Sequence, residues 1–243
     1  APGRSLGGAR PKASVVGEDA HLWIAKFPSR DDDDDIGAWE MVAHELAVAA
    51  GISVAPAHCE RFGSAHHTFI TRRFDRTDDG ARIHCASAMT HLEMVDSEAE
   101  GASYLQLAEV LIRHGAAPAW DLEQLWRRIA FFVCISNVDD HLRNHAFLLE
   151  PTGWRLAPAY DMNPVAWGDG LTLNISDADN AQDLELVRQV APYFRVRHSR
   201  ASGIIDEVVA VVRRWRDCAH RRGLGRDAQE RMAPAFRVVD PAT

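Results

Sequence analysis

Residues 136–144 read Ser136-Asn137-Val138-Asp139-Asp140-His141-Leu142-Arg143-Asn144, and residues 154–161 read Trp154-Arg155-Leu156-Ala157-Pro158-Ala159-Tyr160-Asp161. Between them, the apolar run His145 to Leu149, the turn residues Glu150 to Gly153 and the short run Trp154 to Leu156 predict a β-hairpin. Such a hairpin leaves Asp161 at a strand end, beside the loop that carries Asp139 and Asn144. The chemistry of the three side chains is complementary. An aspartate can accept a proton from an attacking hydroxyl, and a neutral amide carbonyl nearby can hold a divalent cation without adding a second charge. The returning carboxylate of Asp161 supplies a further oxygen ligand.

Four residues separate Asp139 from Asn144, the spacing of the catalytic loop in protein kinases, and Asp161 takes the place of the metal aspartate of the D-F-G element. The runs N-V-D-D-H-L-R-N-H-A-F and W-R-L-A-P-A-Y-D-M-N-P resemble the signature of HipA-type kinases, the toxin halves of type II toxin–antitoxin modules. The resemblance covers nearly the whole chain. It implies that Asp139 is the catalytic base and that Asn144 and Asp161 are magnesium ligands. It makes His141, Leu142, Arg143 and Asn144, with Tyr160 and Asp161, nucleotide contacts. ATP and Mg2+ are the implied cofactors, and a protein serine or threonine the acceptor.

Upstream, Ala13 to Val16 and Leu22 to Phe27 are β-type runs around the turn Gly17 to Ala20, a second hairpin. Asp31 to Asp35 reads as a solvated acidic loop. Trp39, Val42, Ala43, Leu46 and Ala47 repeat at helical spacing, with Gly51 as the stop. Ile52 to Ala55, Cys59 to Phe62 and Thr68 to Phe74 read as strands. Lys26, on a strand apolar on both sides, either snorkels to solvent or is the strand lysine that neutralises nucleotide phosphates. Both Glu40 and Glu45 on the following helix are available to pair with it. Gly7-Gly8-Ala9-Arg10-Pro11-Lys12 is neither G-x-G-x-x-G nor a Walker A loop. It resembles the phosphate loop of HipA-type kinases, so Gly7, Gly8, Ala9, Arg10, Pro11 and Lys12 join Lys26 as ATP-binding residues. The same resemblance makes Ser5 an inactivating autophosphorylation site. It makes Arg72, Arg73 and Phe74 the hinge against adenine, with Asp75 near the ribose.

Leu122, Leu125, Trp126, Ile129, Phe132 and Val133 mark one amphipathic helix, and Ala201 to Trp215 a longer one. The expected fold is therefore α+β, protein-kinase-like and two-lobed, with a small sheet-bearing lobe over residues 1–76 and a mostly helical lobe over residues 77–243. With 243 residues and a formal net charge of −8, the chain can bury a core, and direct nucleic-acid binding is not expected. Four scattered cysteines form no C-x-x-C pair, which points to a reducing, cytoplasmic setting. No apolar run reaches membrane-spanning length, and the first ten residues do not form a secretory signal. HipA proteins carry a further N-terminal subdomain, so this sequence reads as a trimmed protein. A HipB-like antitoxin is the expected partner of the full protein, and an aminoacyl-tRNA synthetase is one substrate known in the family. The rival readings are a metal-dependent phosphohydrolase built on Asp139, Asp140, His141 and Asp161, and an inactive nucleotide- or antitoxin-binding module.

Overall fold

The computed structural model describes residues 10–95 and 99–241. Strands β1 (Lys12–Val16) and β2 (Leu22–Lys26) form the first hairpin, followed by helix α1 (Ile36–Ala49), β3 (Ala57–Glu60) and β4 (Thr68–Arg72). The sheet is antiparallel in the order β1-β2-β4-β3, with Lys26 opposite Lys12 on one side and Phe69 on the other. Asp35 caps α1 by accepting from the Ala38 amide, and the same carboxylate accepts from the backbone and ring nitrogens of His67 at 2.8 and 2.6 Å. One acidic residue thus fixes the helix start against the strand beneath it.

That contact corrects the expectation of a solvated acidic run. Asp35 is a cap, Asp32 pairs with Arg10, and Asp34 pairs with Arg231 near the C-terminus. The strand expected over 52–55 is also absent. Gly51, at φ 74°, ends α1, and only Val54 makes an isolated bridge, to Ala159. The segment's backbone groups go elsewhere: Gln124 accepts from the Ser53 amide, and the Ser53 carbonyl accepts from the Ala159 amide, both at 2.8 Å. Strand β3 lies two residues earlier than read, and β4 ends two residues before Phe74.

A second sheet, in the order β5-β6-β7, joins β5 (Cys85–Ser87) to the predicted hairpin of β6 (Ala146–Glu150) and β7 (Gly153–Leu156). Around it pack α2 (Ala88–His91), α3 (Tyr104–His114), α4 (Pro118–Ile135), α5 (Leu184–Val190), α6 (His198–Val212), α7 (Trp215–Arg221) and α8 (Arg226–Met232). Helix α4 is the central piece: proline suits its first turn, and the side chains from Leu125 to Ile135 are buried all round. The long C-terminal helix breaks at Arg213-Arg214 instead of running through Trp215. Trp215 starts α7 and stacks on Phe236 with ring centres 4.3 Å apart, and Trp39 of α1 packs against both. A single apolar core therefore runs from α1 into the C-terminal helices.

Candidate active site

Helix α4 ends at Ser136, which is left-handed at φ 49° and turns the chain sharply into the loop 137–141. Each neighbour of Asp139 is then held. The Asn137 side chain accepts from the Asn163 amide at 2.9 Å. The Val138 carbonyl accepts from both the amide and the hydroxyl of Thr172. The Asn144 amide nitrogen donates to the Asp139 carbonyl at 3.2 Å. Asp139 itself is exposed at the tip of this framework.

Asp140 faces the opposite way. It is 1% exposed and accepts from the Tyr104 hydroxyl at 2.6 Å, with the His145 ring nitrogen at 2.7 Å. Arg128, buried beneath, is brought down to about 10 by burial and donates to the Ala157 carbonyl. This buried group anchors the loop from below and withdraws Asp140 and His145 from the solvent, where a two-metal phosphohydrolase would need them.

Lys26 enters from the first sheet. Its ammonium donates to Glu40 at 2.5 Å and to Asp161 at 2.7 Å. Glu45 turns instead to Arg222 and Arg221. Burial works to lower the Lys26 pKa, but Glu40 and Asp161 outweigh it and raise it. Burial likewise works to raise Asp161, yet Lys26, with Lys12 and His141 adding to it, holds that carboxyl below the usual range. Glu40, deepest of the three, is pushed up by burial against the pull of Lys26. Asp161 also has φ 59°, an uncommon conformation for a residue with a side chain and one that aspartate tolerates better than most.

The loop and the Asp161 segment are tied together. Tyr160 donates its hydroxyl to the Arg143 carbonyl at 2.6 Å, so the residue before Asp161 grips the residue before Asn144. Phe74 lies 5.5 Å from the Tyr160 ring, which brings the end of the first sheet to the same place. Other expected contacts are placed less directly. Arg10 is turned to Asp32, and Leu142 is packed in the core. The amides of Arg72 and Arg73 donate to Pro56 and Leu22 carbonyls inside the sheet, and the Asp75 carboxylate is held by Arg73 and Arg76. Ser5, Gly7, Gly8 and Ala9 lie outside the described residues.

The donor set suits a magnesium–triphosphate. The Asn144 amide nitrogen is engaged, leaving its oxygen as the free ligand atom, and one Asp161 oxygen faces Lys26 while the other remains. Among the described residues no three His, Cys, Asp or Glu side chains form a metal cage. A cation here would share its coordination between one carboxylate, one amide and phosphate oxygens, the habit of Mg2+. Sequence reasoning missed Asn137, Tyr104 and Arg128. Asn137 carried a faint signal, as a polar residue between an apolar helix and the acidic pair; the other two carried none.

The family profile described as the HipA-like C-terminal domain matches residues 4–215. Two curated relatives bear the name "Putative kinase". Y4mE of Sinorhizobium fredii is 26% identical over 86% of this chain and 56% of its own length. The Haemophilus influenzae protein is 26% identical over 68% of this chain and 53% of its own. The chain thus spans about half the length of these relatives. Among solved structures, HipA of Shewanella oneidensis, in complex with HipB and operator DNA, aligns with a TM-score of 0.75 at 17% identity, over 98% of this chain and 64% of that one. The Helicobacter pylori proinflammatory kinase CtkA aligns at 0.60 and 14% identity, over 98% and 93%. With the profile running over residues 4–215 and the α+β fold of HipA and CtkA around the Lys26–Asp161 pair, the chain belongs to the HipA-like C-terminal domain family.

Proposed function

We propose that the chain is the catalytic part of an ATP- and Mg2+-dependent serine/threonine protein kinase of the HipA toxin type. The observation that carries this reading is the Lys26 ammonium, 2.7 Å from Asp161 and 2.5 Å from Glu40, with Tyr160 tying the Asp161 segment to the loop that exposes Asp139. Lys26, delivered from β2, neutralises phosphate charge, and Glu40 fixes where that charge sits. Asn144 and Asp161 hold Mg2+, which when bound screens the charge that builds on the transferring phosphoryl group. Asp139 orients the acceptor hydroxyl and takes its proton as the oxygen attacks the γ-phosphorus in line and the bond to the departing ADP breaks. Positioning and fixed charge supply most of the rate in this reaction class.

The two lobes divide near Arg76, with Phe74 of the hinge over Tyr160. Gly7 to Lys12 bind the nucleotide phosphates, and phosphorylation of Ser5 inactivates the enzyme. Because the Shewanella relative is complexed with HipB and DNA, an antitoxin of that kind is the proposed partner of the whole protein, in the cytoplasm. An aminoacyl-tRNA synthetase is one candidate substrate. The test is incubation of radiolabelled ATP with host lysate, for wild type beside Asp139→Asn. Label on a protein with wild type alone supports the reading, whereas tight ATP binding without any transfer supports an inactive binding module.

A further inference from the structure

Two residues beyond Val165, whose amide is bonded to the Ser136 carbonyl, the chain presents Trp167, 74% exposed and the barest large apolar side chain among the described residues. Loose loops often expose such a residue harmlessly, but this loop is fastened at several points. Asn163 is bonded to Asn137, Val165 to the Ser136 carbonyl at 3.2 Å, and Thr172 to Val138. Arg237 donates to the Gly168 carbonyl at 2.7 Å and also to Gln182. Leu171 and Asn180 then pair, closing residues 168–182 into a fixed lobe. Gly168 lies so close to the catalytic loop that a Cβ on it would sit 3.0 Å from the Val138 side chain.

Resting on the kinase reading above, we infer that Trp167 is the residue on which the acceptor polypeptide docks an apolar side chain flanking its target hydroxyl. The reach is short. One chain step separates Trp167 from Gly168 and one separates Val138 from Asp139, each about 3.8 Å, and the two pairs touch. An extended peptide advances about 3.3 Å per residue, so the indole meets a side chain within about four residues of the hydroxyl that Asp139 receives. A rigid indole loses little entropy on being covered and is a common anchor at polypeptide interfaces. Asp169, Asp177 and Asp179 are exposed on the same lobe, so the segment that fits combines an apolar anchor with basic neighbours.

The experiment uses an array of synthetic peptides with a central serine or threonine and varied flanks, labelled from radioactive ATP. Wild type should select one apolar flanking position with basic residues around it. Trp167→Ala should lose that selection and raise KM for the selected peptide about tenfold, with kcat nearly unchanged and KM for ATP unmoved. Trp167→Phe should restore most of the effect. Gly168→Ala, which crowds Val138 from a strained φ of 142°, should shift the selected position. Label without flank selection, or identical selection by Trp167→Ala, overturns the inference and leaves the kinase reading standing. A dimer that dissociates in Trp167→Ala, with peptide selection unchanged, also overturns it and reassigns the indole to self-association. No label from wild type on any peptide or lysate protein overturns both.

Discussion

On one side of the site, Lys26 is bonded to both Glu40 and Asp161, and two of the three are well buried. On the other side, Asp139 is exposed, and it is the residues around it that are fixed, through Asn137, Val138, Asn144 and the Tyr104–Asp140–His145 group. On the proposed kinase reading, the difference follows from what each side must meet. A triphosphate brings several negative charges, so an ammonium already positioned by two carboxyl groups avoids reorganisation at the moment of reaction. An acceptor hydroxyl brings no charge and must approach from solvent, so its partner has to be open while its position is set by the backbone. One side therefore couples function to stability, and the other keeps them apart.

Asp139→Asn tests the separation most directly. Loss of the proton acceptor should lower phosphoryl transfer by about 10²–10⁴-fold, while the melting temperature and KM for ATP stay close to wild type. A large fall in melting temperature would break the comparison. Lys26→Met should do the reverse, striking both properties. It leaves Glu40 and Asp161 facing each other, and breaking a buried pair in this way costs about 3–5 kcal/mol, visible in denaturant unfolding along with lost ATP affinity. Adding Glu40→Gln to Lys26→Met should recover part of that stability and none of the activity, since the two residues share one interaction. Tyr104→Phe sits lower on the scale. Removing one donor from buried Asp140 should cost about 1–3 kcal/mol, with kcat changed less than by Asp139→Asn, because the second donor His145 keeps the loop in place.

The loop from Asn137 to Asn144 and its hairpin were legible in the sequence because their geometry is local. Asp139 and Asn144 share one turn, and a hairpin has few ways to return Asp161 beside them. The choice between Glu40 and Glu45 was not legible. Both lie on α1, and which faces β2 depends on how the helix rolls on the sheet. Gly37 sets that roll: a Cβ there would meet the His67 carbonyl at 2.2 Å, so the helix rests backbone to backbone on the sheet. The break before Trp215 was hidden for a related reason, since Val212 and Trp215 keep helical spacing across it. The absent strand over 52–55 was decided by Gln124, 71 residues away from Ser53, and no local propensity reports such a partner.

The smallest effect is the most specific to the buried side. Glu40 has its pKa raised by burial from an ordinary value of 4.5, so just above that value the folded protein holds a proton there more often than the unfolded chain does. The stability from this group is complete below pH 4.5 and is lost as pH rises through the folded value. Asp161 runs oppositely: its pKa is lowered, so its contribution is complete above the ordinary 3.8 and disappears as pH falls through the folded value. Glu40→Gln removes the first dependence and keeps the second. Between wild type and that variant, the difference in unfolding free energy should be flat below about pH 4.5 and should then move in favour of the variant as pH rises toward neutrality. Chemical denaturation of both proteins across pH 4–8 measures it. If the difference moves toward wild type instead, the ammonium of Lys26 governs Glu40 more strongly than burial does.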